Sequence, residues 1–319
     1  MSKTRKSHFL SRFYLGGFTI SGRKEDRFWV FSKAQKRQWP MRAEEAGHKR
    51  DLFRLEGAGV PADELENGFG SIENEIAPVL RTVLSTKQLP SDPESFSLLL
   101  HLPALNAARP PAEIAELADL TDRIIRNEIV EQLTPELHHK ILNEWRSTGR
   151  GTDAVEDLTE LKERISVGTV RAVLSKNHLL TQVTARAARL VDINHTRRWT
   201  LLHTSAEMGF FVCTDRPVFL LNNQNVPADI QPRFDDQRFD VIMPLSKDLC
   251  LIGHFLRSPG TMNASRESVG FINYLTHANA ADFVYSPTKT SNIALPPNIG
   301  VHTLERYKAD LLGMRSSTR

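Results

Sequence analysis

Two short strand-like segments stand by themselves near the N-terminus: "GFTI" at 17–20 and "RFWVFS" at 27–32, around a turn at "SGRKED". All the other strand-like segments come from residue 197 onward. A two-stranded hairpin is marginal in water unless a third strand or a helix covers it. The separation therefore predicts that the N-terminal strands join the later ones across the helical sequence between them. The fold class that follows is α+β. It is a small, mostly antiparallel sheet built from N- and C-terminal strands, with a large helical insertion at about 61–195. On this reading 1–295 is a single domain and 296–319 a partly ordered tail. A helical domain hinged to a β domain is the alternative.

The helical reading rests on periodicity. Leu65, Phe69, Ile72, Ile76, Val79, Leu80 and Val83 recur at three- and four-residue steps over 61–86, with Pro78 expected to kink or end that helix. "SFSLLLHLPAL" reads as a short apolar helix interrupted at Pro103. The segment 112–195 continues helical, broken by a loop at "STGRGTD" (147–153), where Asp153 would cap the next helix. Then "RRWTLLHTS", "GFFVCTDRPVFLLN", "FDVIMPLS" and "DLCLIGHF" turn β-branched and aromatic, with "MPLSKDLCLIG" reading as a hairpin. "ESVGFINYLTHANAADFVYS" returns to helix.

Composition excludes several classes. The net charge of +3 over 319 residues gives no dense basic face, and the basic cluster around Lys3, Arg5, Lys6 and Arg12 reads as a solvated surface. No stretch reaches the ~18–20 apolar residues of a membrane span, and none of signal-peptide length follows the basic N-terminus. Cys213 and Cys250 sit in apolar runs, which implies buried free thiols and a reducing, cytoplasmic compartment. Phosphate loops, dinucleotide fingerprints and the common zinc and nucleophile-elbow motifs do not occur.

The stretch "HFLSRFYLGGF" at 8–18 resembles the opening H-x-x-P-x-x-x-L-x-x-F of domain-of-unknown-function family 4238. Glu66 and Glu73 on the first long helix, "CTDRPV" at 213–218, "IMPLSKDLCL" at 242–251 and the closing "FINYLTHANAADFVYS" fit the same family, over roughly residues 6–290. Ser11 stands where the family has proline, and Thr214 where its S-D-x-P turn has serine. The resemblance implies no activity; it supplies residues to examine.

Those residues carry two readings each. Glu66 and Glu73 fall on one flank of their helix, about 10 Å apart along its axis. They are either ligands or boundary charges paired with a basic neighbour such as Arg109. His8, ahead of an apolar run, is either a metal ligand and general base or a buried ring donating to a backbone carbonyl. Asp215 is either a site carboxylate at a strand end or a turn residue bonding nearby backbone. Phe13, Leu15 and Phe18 read as anchors holding His8 and Arg12, with Gly16 and Gly17 allowing a close approach of backbone. Together, His8, Glu66, Glu73 and Asp215 around magnesium or manganese, with Arg12 and Arg109 on a phosphate, would make a metal-assisted hydrolase. A phosphodiesterase or nuclease fits best, with a phosphate-containing substrate or nucleic acid as partner and no membrane. The alternative is a non-catalytic binding or interaction module in which the same residues form a buried structural polar network.

Overall fold

The structure, a computed structural model, describes residues 6–289 except 58, 60, 148–156, 170–173, 225, 226 and 228. The tail at 296–319, Asp153 and most of the 147–153 loop lie outside the described residues. Residues cluster into two compact units: the chain up to Glu113 together with that from Val183 onward, and Ile114–Gln182.

In the first unit the N-terminal strands do join the C-terminal ones. Strands β2 (Arg27–Ser32) and β3 (Arg37–Arg42) form a hairpin, and β11 (Phe283–Ser286) pairs antiparallel with β2 on one side and with β6 (Cys213–Thr214) on the other. The sheet order is β3-β2-β11-β6. A ribbon of β1 (Lys6–His8) and β4 (His48–Arg50) sets His8 opposite His48. A five-stranded sheet, ordered β10-β5-β9-β8-β7, uses β5 (Arg198–His203), β7 (Phe219–Asn222), β8 (Phe239–Pro244), β9 (Leu249–His254) and β10 (Gly260–Asn263). It is antiparallel except for β10 against β5. Every residue of β8 and β9 is buried, the pattern of strands covered on both faces. Val269, Phe271 and Ile272 of helix α8 (Arg266–Asn279) pack with Phe219, Ile242 and Ile252 of this sheet.

The N-terminal hairpin is displaced by one strand from its expected place. Residues 17–20 are not a strand; Arg12–Leu15 form a short helix, α1, and Gly16–Phe18 a 3-10 turn. Local and tertiary contacts decide this. The Thr19 hydroxyl donates to the Gly16 carbonyl at 2.8 Å, and Lys247 N donates to Gly17 O at 2.9 Å. A Cβ on Gly17 would stand 3.0 Å from the Leu245 carbonyl oxygen. The true partner of 27–32 is "RQWPMR". Its Pro40 is tolerated because β3 is an edge strand, where no neighbour needs the missing N–H. Tyr14 takes the place expected for Phe13: Tyr14, Leu15 and Phe18 are wholly buried, and Phe13 only in part.

Helix α2 (Glu64–Thr86) runs through Pro78. Pro78 and Asn74, whose carbonyl loses its donor, are both exposed, so the freed carbonyl sits on the solvent face of the helix rather than in the core. Phe69, Ile76, Leu80 and Val83 are its buried stripe, against α3 (Pro93–Ala108), which likewise continues through Pro103. The expected "FVY" end of the last helix is instead the central strand β11.

The second unit contains most of α4 (Pro111–Gln132), all of α5 (Pro135–Ser147) and α6 (Leu158–Ser166), and the start of α7 (Lys176–His195). Leu133, Leu161 and Ile165 form its core, and Asp157 caps α6 by accepting from Glu160 N. No helix among the described residues is long and apolar enough to cross a membrane.

Both cysteines are free and buried. Burial pushes the Cys213 thiol up to about 12 and the Cys250 thiol further still. The native protein is expected to react with a thiol reagent only at the rate at which it opens, with both thiols labelled together on denaturation. Labelling of either thiol within the mixing time would refute this.

Candidate functional site

The first motif ends in the core and leaves its polar groups at one edge. Tyr14 donates its hydroxyl to the Pro244 carbonyl at 2.7 Å, pinning α1 to β8. Ser11 precedes α1 with φ −67°, the value a proline ring imposes. The departure from the family's proline therefore leaves the backbone alone and adds a hydroxyl. That hydroxyl donates to Glu73 Oε1 at 2.6 Å. The same oxygen accepts Arg109 Nη1 at 2.5 Å, and Arg109 Nη2 donates to the Ser11 oxygen at 3.3 Å. Arg109 is 1% exposed, and its guanidinium carbon lies 5.1 Å from the centre of the Phe69 ring.

Glu66 lies two turns before Glu73, and the nearby Ser7 hydroxyl and His8 backbone N–H favour its ionised form. Burial nevertheless raises its pKa, with Glu73 adding to the effect. His8 stands beside both. Burial first, then the Arg12 guanidinium and His48, lowers its pKa to about 4, and Glu73 offsets part of the shift. The His8 imidazole is therefore neutral near pH 7. Five of the six residues singled out in the sequence, His8, Arg12, Glu66, Glu73 and Arg109, thus act on one another.

Asp215 is held elsewhere. Its Oδ1 accepts from Ala281 N at 2.9 Å, and its Oδ2 from Asp282 N at 2.9 Å and Phe283 N at 3.1 Å. Burial raises its pKa in spite of these three N–H groups. Thr214 does what serine does in such a turn: its hydroxyl accepts from Arg216 N and donates to Arg216 O. Among the described residues, no hydrogen bond or ion pair joins Asp215 to His8, Glu66 or Glu73. Nor is any group of three or more His, Cys, Asp or Glu among them arranged to hold a metal ion.

A cavity of about 400 Å³ links the two halves. Asp215 lines it, and so does His48, whose ring centre is 5.5 Å from that of His8. Phe9, Trp39, Phe283 and Tyr285 supply aromatic wall. The wall is tied at Gly47. Its carbonyl accepts from Phe9 N at 2.8 Å and from Leu10 N at 3.1 Å. Gly47 has φ +61°, and a Cβ there would come 2.8 Å from Leu10 Cβ. Sequence reasoning missed His48, Trp39 and Tyr285. Each sits in a short, aperiodic or apolar segment, and the pairing of β1 with β4, of β2 with β3 and of β2 with β11 brings them to one place.

Half-buried His8 and buried His254 give the fold a pH dependence. His8 and His254 both have pKa values of about 4, against 6.5 for the free side chain. Between these values the unfolded chain binds more protons than the folded one, so their contribution is complete above about pH 6.5 and is lost as pH falls toward 4. Glu66 and Asp215, shifted upward, oppose this at the acid end. The melting temperature is expected to fall from pH 7 to pH 5, and a His8→Gln/His254→Gln variant to flatten that slope. An unchanged slope in thermal melts at pH 5, 6 and 7 would rule the assignment out.

No curated protein and no solved structure matches the chain. A family model does match it, over residues 6–290, and the chain belongs to that family, the proteins of unknown function designated DUF4238.

Proposed function

We propose that the protein is a small-molecule binding module whose site is the aromatic cavity, with the Ser11–Glu73–Arg109 network as the internal strut of its wall. The observation that carries this reading is the fate of the charges. The arginine suited to clamp a phosphate is spent on Glu73 and Ser11 in the interior. The carboxylate suited to hold a metal is bonded to three backbone N–H groups. The open volume lies beside them, in the size range of ligand pockets and mostly apolar. Titration with the neutral solvatochromic dye N-phenyl-1-naphthylamine tests it. Bright, saturable fluorescence is expected from the native protein, and its loss from Ala112→Phe, which fills the cavity from its lining. Equal fluorescence from both would overturn the reading.

One observation favours a second reading, the metal-assisted phosphodiesterase or nuclease. His8 is held neutral beside Glu66 and Glu73, as a general base or imidazole ligand requires. That reading expects hydrolysis of bis(4-nitrophenyl) phosphate with Mn²⁺ or Mg²⁺, lost in His8→Ala without loss of folded protein. Turnover unaffected by His8→Ala would remove it.

A further inference from the structure

Three acidic residues are buried among those described: Glu113, Asp215 (7% exposed) and Asp240. Glu113 is paired with Arg186 and Arg216, and Asp240 with Arg257. Half-buried Glu73 likewise has Arg109. Asp215 has backbone N–H groups only, and no basic side chain among the described residues bonds to it. Buried charges are as a rule paired. An ionised carboxylate has about four lone-pair positions, and three of these are taken here.

The position left over belongs to a group that lines the cavity. Phe9, Trp39, Phe283 and Tyr285 line the same cavity, with Trp39 and Phe283 edge to face at 6.5 Å. Aromatic faces carry the negative end of the ring quadrupole and attract cations. Trp39 already does so with Arg37, whose guanidinium carbon lies 5.4 Å from its ring. The other ionisable side chains of the lining are Glu45 and Lys49, both exposed, and His48, so carboxylates outnumber ammonium groups.

We propose that the cavity takes an organic cation: a protonated primary or secondary amine on a small apolar body, its N–H donated to Asp215 and its charge set against the aromatic wall. The proposal rests on the cavity being the binding site. An anionic ligand would meet the Asp215 carboxylate with no buried cation to offset it, and a neutral one would leave that carboxylate unpaired.

The test titrates the whole chain with phenethylammonium, phenethyl alcohol and 3-phenylpropionate, which share a body and differ in charge, reading tryptophan fluorescence and heat. The ammonium is expected to bind about tenfold or more tighter than the alcohol, and the carboxylate not at all. Asp215→Asn should bring the ammonium down to the alcohol. Trp39 is on the edge strand and half-buried, so Trp39→Leu serves if the first variant does not fold. It should weaken the ammonium several-fold more than the alcohol. Alcohol binding as well as ammonium, or a preference that survives either variant, overturns the cation while leaving the cavity as a site. Failure of all three compounds together with the neutral dye overturns the cavity as well.

Discussion

Arg109→Ala is expected to lower stability by about 3–5 kcal/mol, the cost of removing one partner from a buried ion pair. For a unit of this size that is a fall in melting temperature on the order of 10 °C. The guanidinium is buried, bonds Glu73 and Ser11, and packs on Phe69. Its loss strips Glu73 of its counter-ion and opens a void under α2. Glu73 keeps some contact with solvent, with its side chain 20% exposed, which puts the expected cost toward the lower end. Replacing both charges at once, Arg109→Met with Glu73→Leu, should cost less than Arg109→Ala alone, because no charge is then left unpaired. If the double replacement is the more destabilising in urea titrations, the network does more than hold the fold, and the hydrolase reading gains.

Asp215→Ala is the second large effect, about 3 kcal/mol. Three backbone N–H groups lose their acceptor, at roughly 1–2 kcal/mol each. Relief of a buried charge offsets part of that, since burial already disfavours the ionised form. Protection from hydrogen exchange at Ala281, Asp282 and Phe283 should drop together, while amides of β8 and β9 keep theirs relative to the new global stability. Unchanged exchange at those three amides would show that the carboxylate does not hold the segment leading into β11.

Much of the fold could be read from the chain. The α+β class, the union of N- and C-terminal strands, the hairpin over 243–253, the apolar stripe of α2 and the two buried thiols all follow from periodicity, turn residues and the instability of a lone hairpin. These are short-range properties, or consequences of burying one apolar face. The candidate residues were legible in the same way: an imidazole before an aromatic run and two carboxylates on one helix flank announce a polar edge. The pairing of Glu73 with Arg109 was one of the two readings open in the sequence, and it is the one adopted.

What lay beyond the sequence is register and partner choice. Residues 17–20 have strand-like composition, yet Gly17 must lie against Leu245, and the packing of α1 on β8 outweighs local propensity. "RQWPMR" carries Pro40, which a central strand would not tolerate, and it becomes a strand because it falls on a sheet edge. The separation of Asp215 from the His8 cluster and the meeting of His48, Trp39 and Tyr285 around one cavity also depend on contacts between residues far apart in the chain. Propensity and periodicity act over a few residues, so they determined the elements and the residues worth suspecting. Which of those residues share a site was decided by the tertiary structure, because long-range strand pairing leaves no local pattern in the chain.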